Sequence, residues 1–233
     1  MKIINWSLYP KREMKDFFKF LFLSPLLSYR IHHQQSKSRI SFGLVVTKLL
    51  ISLSFSIFIL GIGKYVFYPL NYFEIILLSP IIYFLTESLG SFAQLLFLPF
   101  TKVIQIHQNP LGSQSLADFW GRRWNRWVQD WLRDLSRPFK KSLLKKLVMT
   151  FCISGLFHEA MMSFPAYYYL HQFFFGQLTL YFGIQGIGLW VEKKWVSRSS
   201  KVFQLIYTWV VILAPSPLFV NQSLLYFLGL INE

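Results

Sequence analysis

Apolar positions in this sequence gather into long runs rather than alternating along the chain. Four runs stand out: Phe42–Ile62, Phe73–Leu98, Leu147–Phe164 and Tyr167–Trp190. About 20 mostly apolar residues suffice for a helix to cross the hydrocarbon core of a bilayer, so each run predicts a spanning helix. A fifth run, Phe203–Leu230, is interrupted by Pro215-Ser216-Pro217 and predicts two short helices or a kinked pair. The pattern therefore predicts five or six spans, in an all-α, polytopic transmembrane helical bundle that forms one membrane domain over residues 1–233. Phe17–Leu27 is too short to span and contains Lys19 and Pro25. It reads as an interfacial or re-entrant helix within a basic segment, 1–40, without a cleavable signal peptide.

The polar stretch 99–146 has another rhythm. Asn109-Pro110-Leu111-Gly112 signals a turn, and Ser115 is placed to cap a helix with Asp118 three residues on. From Asp118 a helix is expected to run to the stop at Pro138. Trp120, Trp124, Trp127 and Trp131 would then form one stripe, and Arg122, Arg126, Arg133 and Arg137 a second arc well round from it. Such an amphipathic helix suits a membrane interface, with rings at the headgroups and guanidinium groups toward water. It serves either as an anchor alone or as the rim of a site for an anionic, phosphate-bearing substrate. Asn125 fits neither stripe.

Composition supports lipid as the solvent. Hydrophobic residues make up 54% of the 233 and charged residues 15%, against about 25% charged in soluble proteins. One soluble core could not hide that surplus. The net charge of +14 sits in three blocks between apolar runs, at residues 2–39, 122–146 and 193–201. This is the arrangement of the positive-inside rule, not of a basic face for nucleic acid. It places 1–40, 99–146 and 191–202 on the cytoplasmic side. The single cysteine, Cys152, offers no disulfide framework.

Ionisable groups within apolar runs mark candidate chemistry, because lipid makes them costly. Lys48 and Glu74 lie near span ends and can snorkel. Glu87 lies deeper, where it faces the bundle interior or lines a functional cavity. His158 stands in Ser154-Gly155-Leu156-Phe157-His158-Glu159, among apolar neighbours that favour a neutral, proton-accepting ring. Ser154 and Gly155 would let another helix approach closely. A zinc site is not expected: the H-E-x-x-H pattern ends in Met162, and His32, His33, His107 and His171 are scattered. The G-x-S-x-G elbow of a serine hydrolase is missing as well. His158 is left as a general base toward a hydroxyl attacking an activated acyl carbon, or as a satisfied interhelical hydrogen-bond donor.

Ser115-Leu116-Ala117-Asp118-Phe119-Trp120-Gly121-Arg122-Arg123-Trp124-Asn125, followed about thirty residues later by Ser154-Gly155-Leu156-Phe157-His158-Glu159, resembles the membrane-bound O-acyltransferase family and in particular its wax synthase-like branch. Residues 73–230 carry most of the likeness. The resemblance implies transfer of a fatty acyl group from acyl-CoA, a co-substrate, to a hydroxyl acceptor in a chamber within the bilayer, with no cofactor or metal. It implies His158 as base and Asn125 as a second active-site residue, with Arg122, Arg123, Trp124 and Asp118 toward the substrate. The acceptor would be a long-chain alcohol, giving a wax ester, or another hydroxyl on a sterol, a secondary metabolite or a glycan. The competing class is a non-catalytic scaffold or a transporter. Members of that branch are longer at the N-terminus, so a homo-oligomer or another partner could supply further walls. The expected location is an integral, multi-pass one in the cytoplasmic or endoplasmic reticulum membrane.

Overall fold

In lipid a backbone satisfies its polar groups most simply by closing its own hydrogen bonds, and the apolar runs do so as helices. The computed structural model describes residues 41–66, 72–97, 105–135, 142–171 and 175–228. The segment 1–40, with the helix expected at Phe17–Leu27 and with His32 and His33, lies outside the described residues. Among the described residues every regular element is helical.

The first run forms α1 (Phe42–Val66), and the second forms α2 (Tyr72–Leu78) and α3 (Pro80–Phe97), which meet at Ser79. Pro80 opens α3, where its missing N–H is an orphan in any case. After the polar stretch come α4 (Arg126–Leu135) and α5 (Leu143–His158). α5 passes through a wide turn with five-residue hydrogen bonding, Glu159–Ser163, into α6 (Phe164–Leu170). α7 (Gln177–Lys194), α8 (Lys201–Leu213), α9 (Ser216–Phe219) and α10 (Gln222–Phe227) complete the chain. Among the described residues, four stretches are long and apolar enough to cross a membrane: Phe42–Ile62, Glu74–Leu96, Leu143–Tyr168 and Lys201–Phe219. Their outer faces present large exposed side chains such as Phe55, Phe58, Leu89, Leu156 and Tyr168.

Two expected boundaries move. The runs Leu147–Phe164 and Tyr167–Trp190 do not part near Pro165, because the wide turn before that proline accommodates its missing N–H and the helix continues to Leu170. The chain reverses instead at His171, in left-handed conformation (φ 52°), and α7 begins after Gly176 (φ 98°). The run Phe203–Leu230 breaks at Pro215 as expected. It breaks again at Val220–Asn221, where the Asn221 side chain caps α10 by accepting the Leu224 amide at 3.2 Å.

The core is the antiparallel pair α5 and α7. Gly155 makes the approach possible: a Cβ there would lie 2.5 Å from the Thr179 Cα. This is the close packing that Ser154-Gly155 predicted. α1 and α3 form a second pair. Lys48 does not snorkel away but meets Glu87 at 3.4 Å, and Ser88 donates to Ser52 at 2.9 Å. Glu87 therefore belongs to a helix interface.

Candidate active site

A cavity of about 530 Å³ opens between α3, the segment 107–129, α5, α7 and the α8–α9 break. Its wall is mainly aromatic and aliphatic, with Phe119, Phe151, Phe182, Trp209 and Phe219 among the large side chains. On α5, Lys146, Thr150, Ser154 and His158 line it at four-residue intervals and so share one face. Lys146 and His158 are twelve residues apart, which at 1.5 Å per residue makes the cavity roughly 18 Å long on this helix.

The segment 115–135 is not the single helix its Trp spacing predicts. Ser115 caps as expected, its Oγ accepting the Asp118 amide at 3.0 Å. The turn Leu116–Asp118 then widens over Phe119–Arg123, where the Trp124 amide reaches back to the Phe119 carbonyl. Trp124 is extended, Asn125 is left-handed (φ 40°), and α4 starts afresh at Arg126. Asn125 fitted neither stripe because it is the break, a conformation asparagine tolerates better than most residues. Trp127 is buried and Trp120 and Trp124 face the cavity. These rings pack inward, where the expected interfacial stripe would have put them among headgroups.

Side chains distant in sequence hold this irregular backbone. Glu192 of α7 accepts the amides of Leu116 and of Ala117 (3.0 Å). Gln185, fully buried, accepts Trp120 Nε1–H at 3.2 Å. Gln129 donates to the Trp120 and Trp124 carbonyls at 2.9 and 2.7 Å. Asp118 accepts from Arg122 Nε (2.9 Å) and Arg123 Nε (2.6 Å), and Arg123 also donates to the Asn109 carbonyl at 3.0 Å. Burial pushes the Asp118 carboxyl up, but Arg123, the Gln114 amide and Arg122 outweigh it and hold the group below the usual carboxylate range.

His107 is the residue that sequence reasoning missed. It is 1% exposed, lines the cavity and packs on Trp124 with ring centroids 4.4 Å apart. Its Nδ1 accepts the Asn125 backbone N–H at 3.1 Å, so Nε2 carries the proton and donates to Thr86 Oγ1 at 2.9 Å. The ring thus ties the Asn125 turn to α3. Burial, reinforced by the charge of Lys48, lowers its pKa from 6.5 to about 3. The unfolded chain takes up this proton near pH 6.5 and the folded protein resists it until about pH 3. Stability from the neutral ring is complete above pH 6.5 and drains away as pH falls toward 3. His107→Asn should flatten the acid side of the unfolding-temperature profile; an unchanged slope between pH 7 and 4 would show that His107 is not the group responsible.

His158 ends α5 beside the second wide turn. Its Nδ1–H donates to the Ser154 carbonyl at 2.7 Å, which leaves Nε2 as the proton-accepting nitrogen. The ring packs between Phe182 (4.6 Å between centroids) and Phe219 (5.7 Å). Glu159 turns away into the helix pair. Its carboxylate accepts the amides of Gly176 (2.8 Å), Leu178 (2.9 Å) and Thr179 (3.2 Å), and the Ser163 hydroxyl. Glu159 therefore caps α7 while its neighbour faces the cavity. Of the expected site residues, His158, Asn125 and Trp124 come together on one cavity, whereas Asp118, Arg122 and Arg123 stand outside its wall and brace the loop. Arg122 keeps 77% of its side chain exposed.

Two comparisons bear on this site. Residues 104–175 match the model of the membrane bound O-acyl transferase family, a stretch that starts beside His107 and ends past His158. No curated protein matches the chain.

Proposed function

We propose that this chain, which matches the membrane bound O-acyl transferase family over residues 104–175, is an acyltransferase that moves a fatty acyl group from acyl-CoA to a long-chain alcohol, with His158 as general base. The observation that carries the reading is the fixed tautomer: with Nδ1–H held by the Ser154 carbonyl, Nε2 is the ring nitrogen able to take a proton. Asn125, on the same cavity, is the second polar group of the site and orients a substrate oxygen. The aromatic wall and the roughly 18 Å of cavity along α5 suit alkyl chains. They suit a glycan poorly, because its hydroxyls would lose water without gaining partners. In this reading Lys146, at the far end of the cavity from His158, and Arg122, exposed beyond the wall, supply positive charge for the CoA phosphates.

The test is ester formation by the purified protein in nanodiscs from labelled acyl-CoA, offered long-chain alcohols, a sterol and a glycan. A wax ester that appears only with acyl-CoA and alcohol together is expected. Turnover of the sterol or glycan alone would change the acceptor class. No acyl-CoA-dependent ester with any acceptor would overturn the reading.

A further inference from the structure

Hydroxyls around the cavity mostly spend their hydrogens on nearby backbone. Thr86 donates to the Ile82 carbonyl at 2.7 Å and Thr150 to Lys146 at 2.6 Å. This is what serine and threonine ordinarily do on a helix. Ser216 does not. It is 3% exposed and stands in the cavity wall, and its Oγ, turned in behind that wall, has no hydrogen-bond partner among the described residues.

Carbonyls near it serve other side chains: that of Ile212, four residues back, receives the Tyr181 hydroxyl at 3.4 Å. Those of Val211 and Ala214 receive Gln185 Nε2 (2.8 Å) and the Tyr72 hydroxyl (2.6 Å). Pro215 and Pro217 flank the serine and break the helix there. An unpaired hydroxyl in an aromatic wall destabilises the protein, which a bound oxygen would reverse. Ser216 also stands at the His158 end of the cavity. Phe219, one turn on, lies 5.7 Å from the His158 ring, and Phe182 touches both rings at 4.6 and 5.7 Å.

We propose that the Ser216 hydroxyl, turned into the cavity by rotation about its Cα–Cβ bond, is a catalytic group that donates a hydrogen bond to the carbonyl oxygen of the bound acyl chain. The inference rests on the role given to His158 above. As the acceptor oxygen bonds to the thioester carbon, its proton passes to His158 Nε2 and the carbonyl electron pair moves onto oxygen. A donor that meets that oxygen stabilises the new charge. When the pair returns, the C–S bond breaks and the proton leaves with the thiol. Ser216 gives up no proton in the cycle.

Losing one such donor lowers turnover by about 10²- to 10³-fold. Ser216→Ala should show that loss in kcat while KM for acyl-CoA holds, and Ser216→Thr, which restores a hydroxyl, should recover most of it. A second readout does not need turnover. A long-chain methyl ketone should raise the unfolding temperature of the native protein and of Ser216→Thr more than it raises that of Ser216→Ala, and an alkane of equal length should raise all three alike. Native kcat in Ser216→Ala, or equal stabilisation of all three by the ketone, overturns the proposal and leaves the acyl-CoA reading standing. Ketone binding that depends on Ser216 in a protein that makes no ester supports the carbonyl contact and removes the acyl-CoA reading instead.

Discussion

Replacing His158 by alanine is expected to lower acyl transfer by about 10²- to 10⁴-fold, the range a positioned general base contributes, and to leave the fold intact. The second half follows from the helix. The Ser154 carbonyl receives the His158 side chain at 2.7 Å and, by the i to i−4 pattern of α5, the backbone N–H of residue 158 as well. Truncating the ring therefore orphans no carbonyl. What is lost is contact with Phe182 and Phe219 at the wall of a cavity that already exists. His158→Gln is the sharper variant, since it stays polar but cannot take a proton at neutral pH. Both variants should unfold at the native temperature and still bind acyl-CoA, with labelled ester at background. A glutamine variant within about tenfold of the native rate, below the span expected of a general base, would take the base role away from His158 and leave the family match over residues 104–175 untouched.

The long helices were legible because lipid leaves the backbone few alternatives; the run Phe42–Ile62 lies within α1. Pro215 was legible for a similar reason, since its ring cannot continue α8. The candidate site was legible only as residue types. Trp120, Trp124 and Trp127 have the spacing of one helical face, yet the backbone beneath them widens at Phe119–Arg123 and turns left-handed at Asn125. That conformation is costly locally, and partners far along the chain offset the cost. Glu192 stands 75 residues from Ala117, Gln185 65 from Trp120 and His107 18 from Asn125. Local periodicity cannot register such contacts. His107 in particular carried no pattern of its own; its nearness to the turn-forming lead-in of the motif was the sole hint.

α7 joins the two motif segments. Gln185 and Glu192 hold the Trp120 side of the cavity, and Glu159 holds the start of the same helix. The distance between Asn125 and His158 is thus set by a helix that contributes neither residue. Each motif also contains one wide turn, Phe119–Arg123 before Asn125 and Glu159–Ser163 after His158. Such turns are rare and concentrate at functional sites. Here each displaces the register beside the residue that faces the cavity.

This arrangement predicts opposite consequences for the two halves of the His-Glu pair. Glu159→Ala should cost on the order of 3–5 kcal/mol of stability, about 10 °C in unfolding temperature for a chain of this length. The carboxylate is 4% exposed and accepts three backbone amides at the start of α7 and the fully buried Ser163 hydroxyl. Alanine would take the partner from all four donors, and Leu178 and Ser163 among them are fully buried, where water reaches poorly. Glu159→Gln keeps an oxygen for the amides but loses the charge that complements the helix N-terminus, so it should fall between alanine and native. Activity in both variants should track the folded fraction, because the His158 ring and its Ser154 contact do not involve Glu159. Unfolding of Glu159→Ala within a few degrees of native would overturn the capping role. A selective fall in kcat with native stability would instead move Glu159 into the chemistry, alongside the residue it adjoins in sequence and turns away from in space.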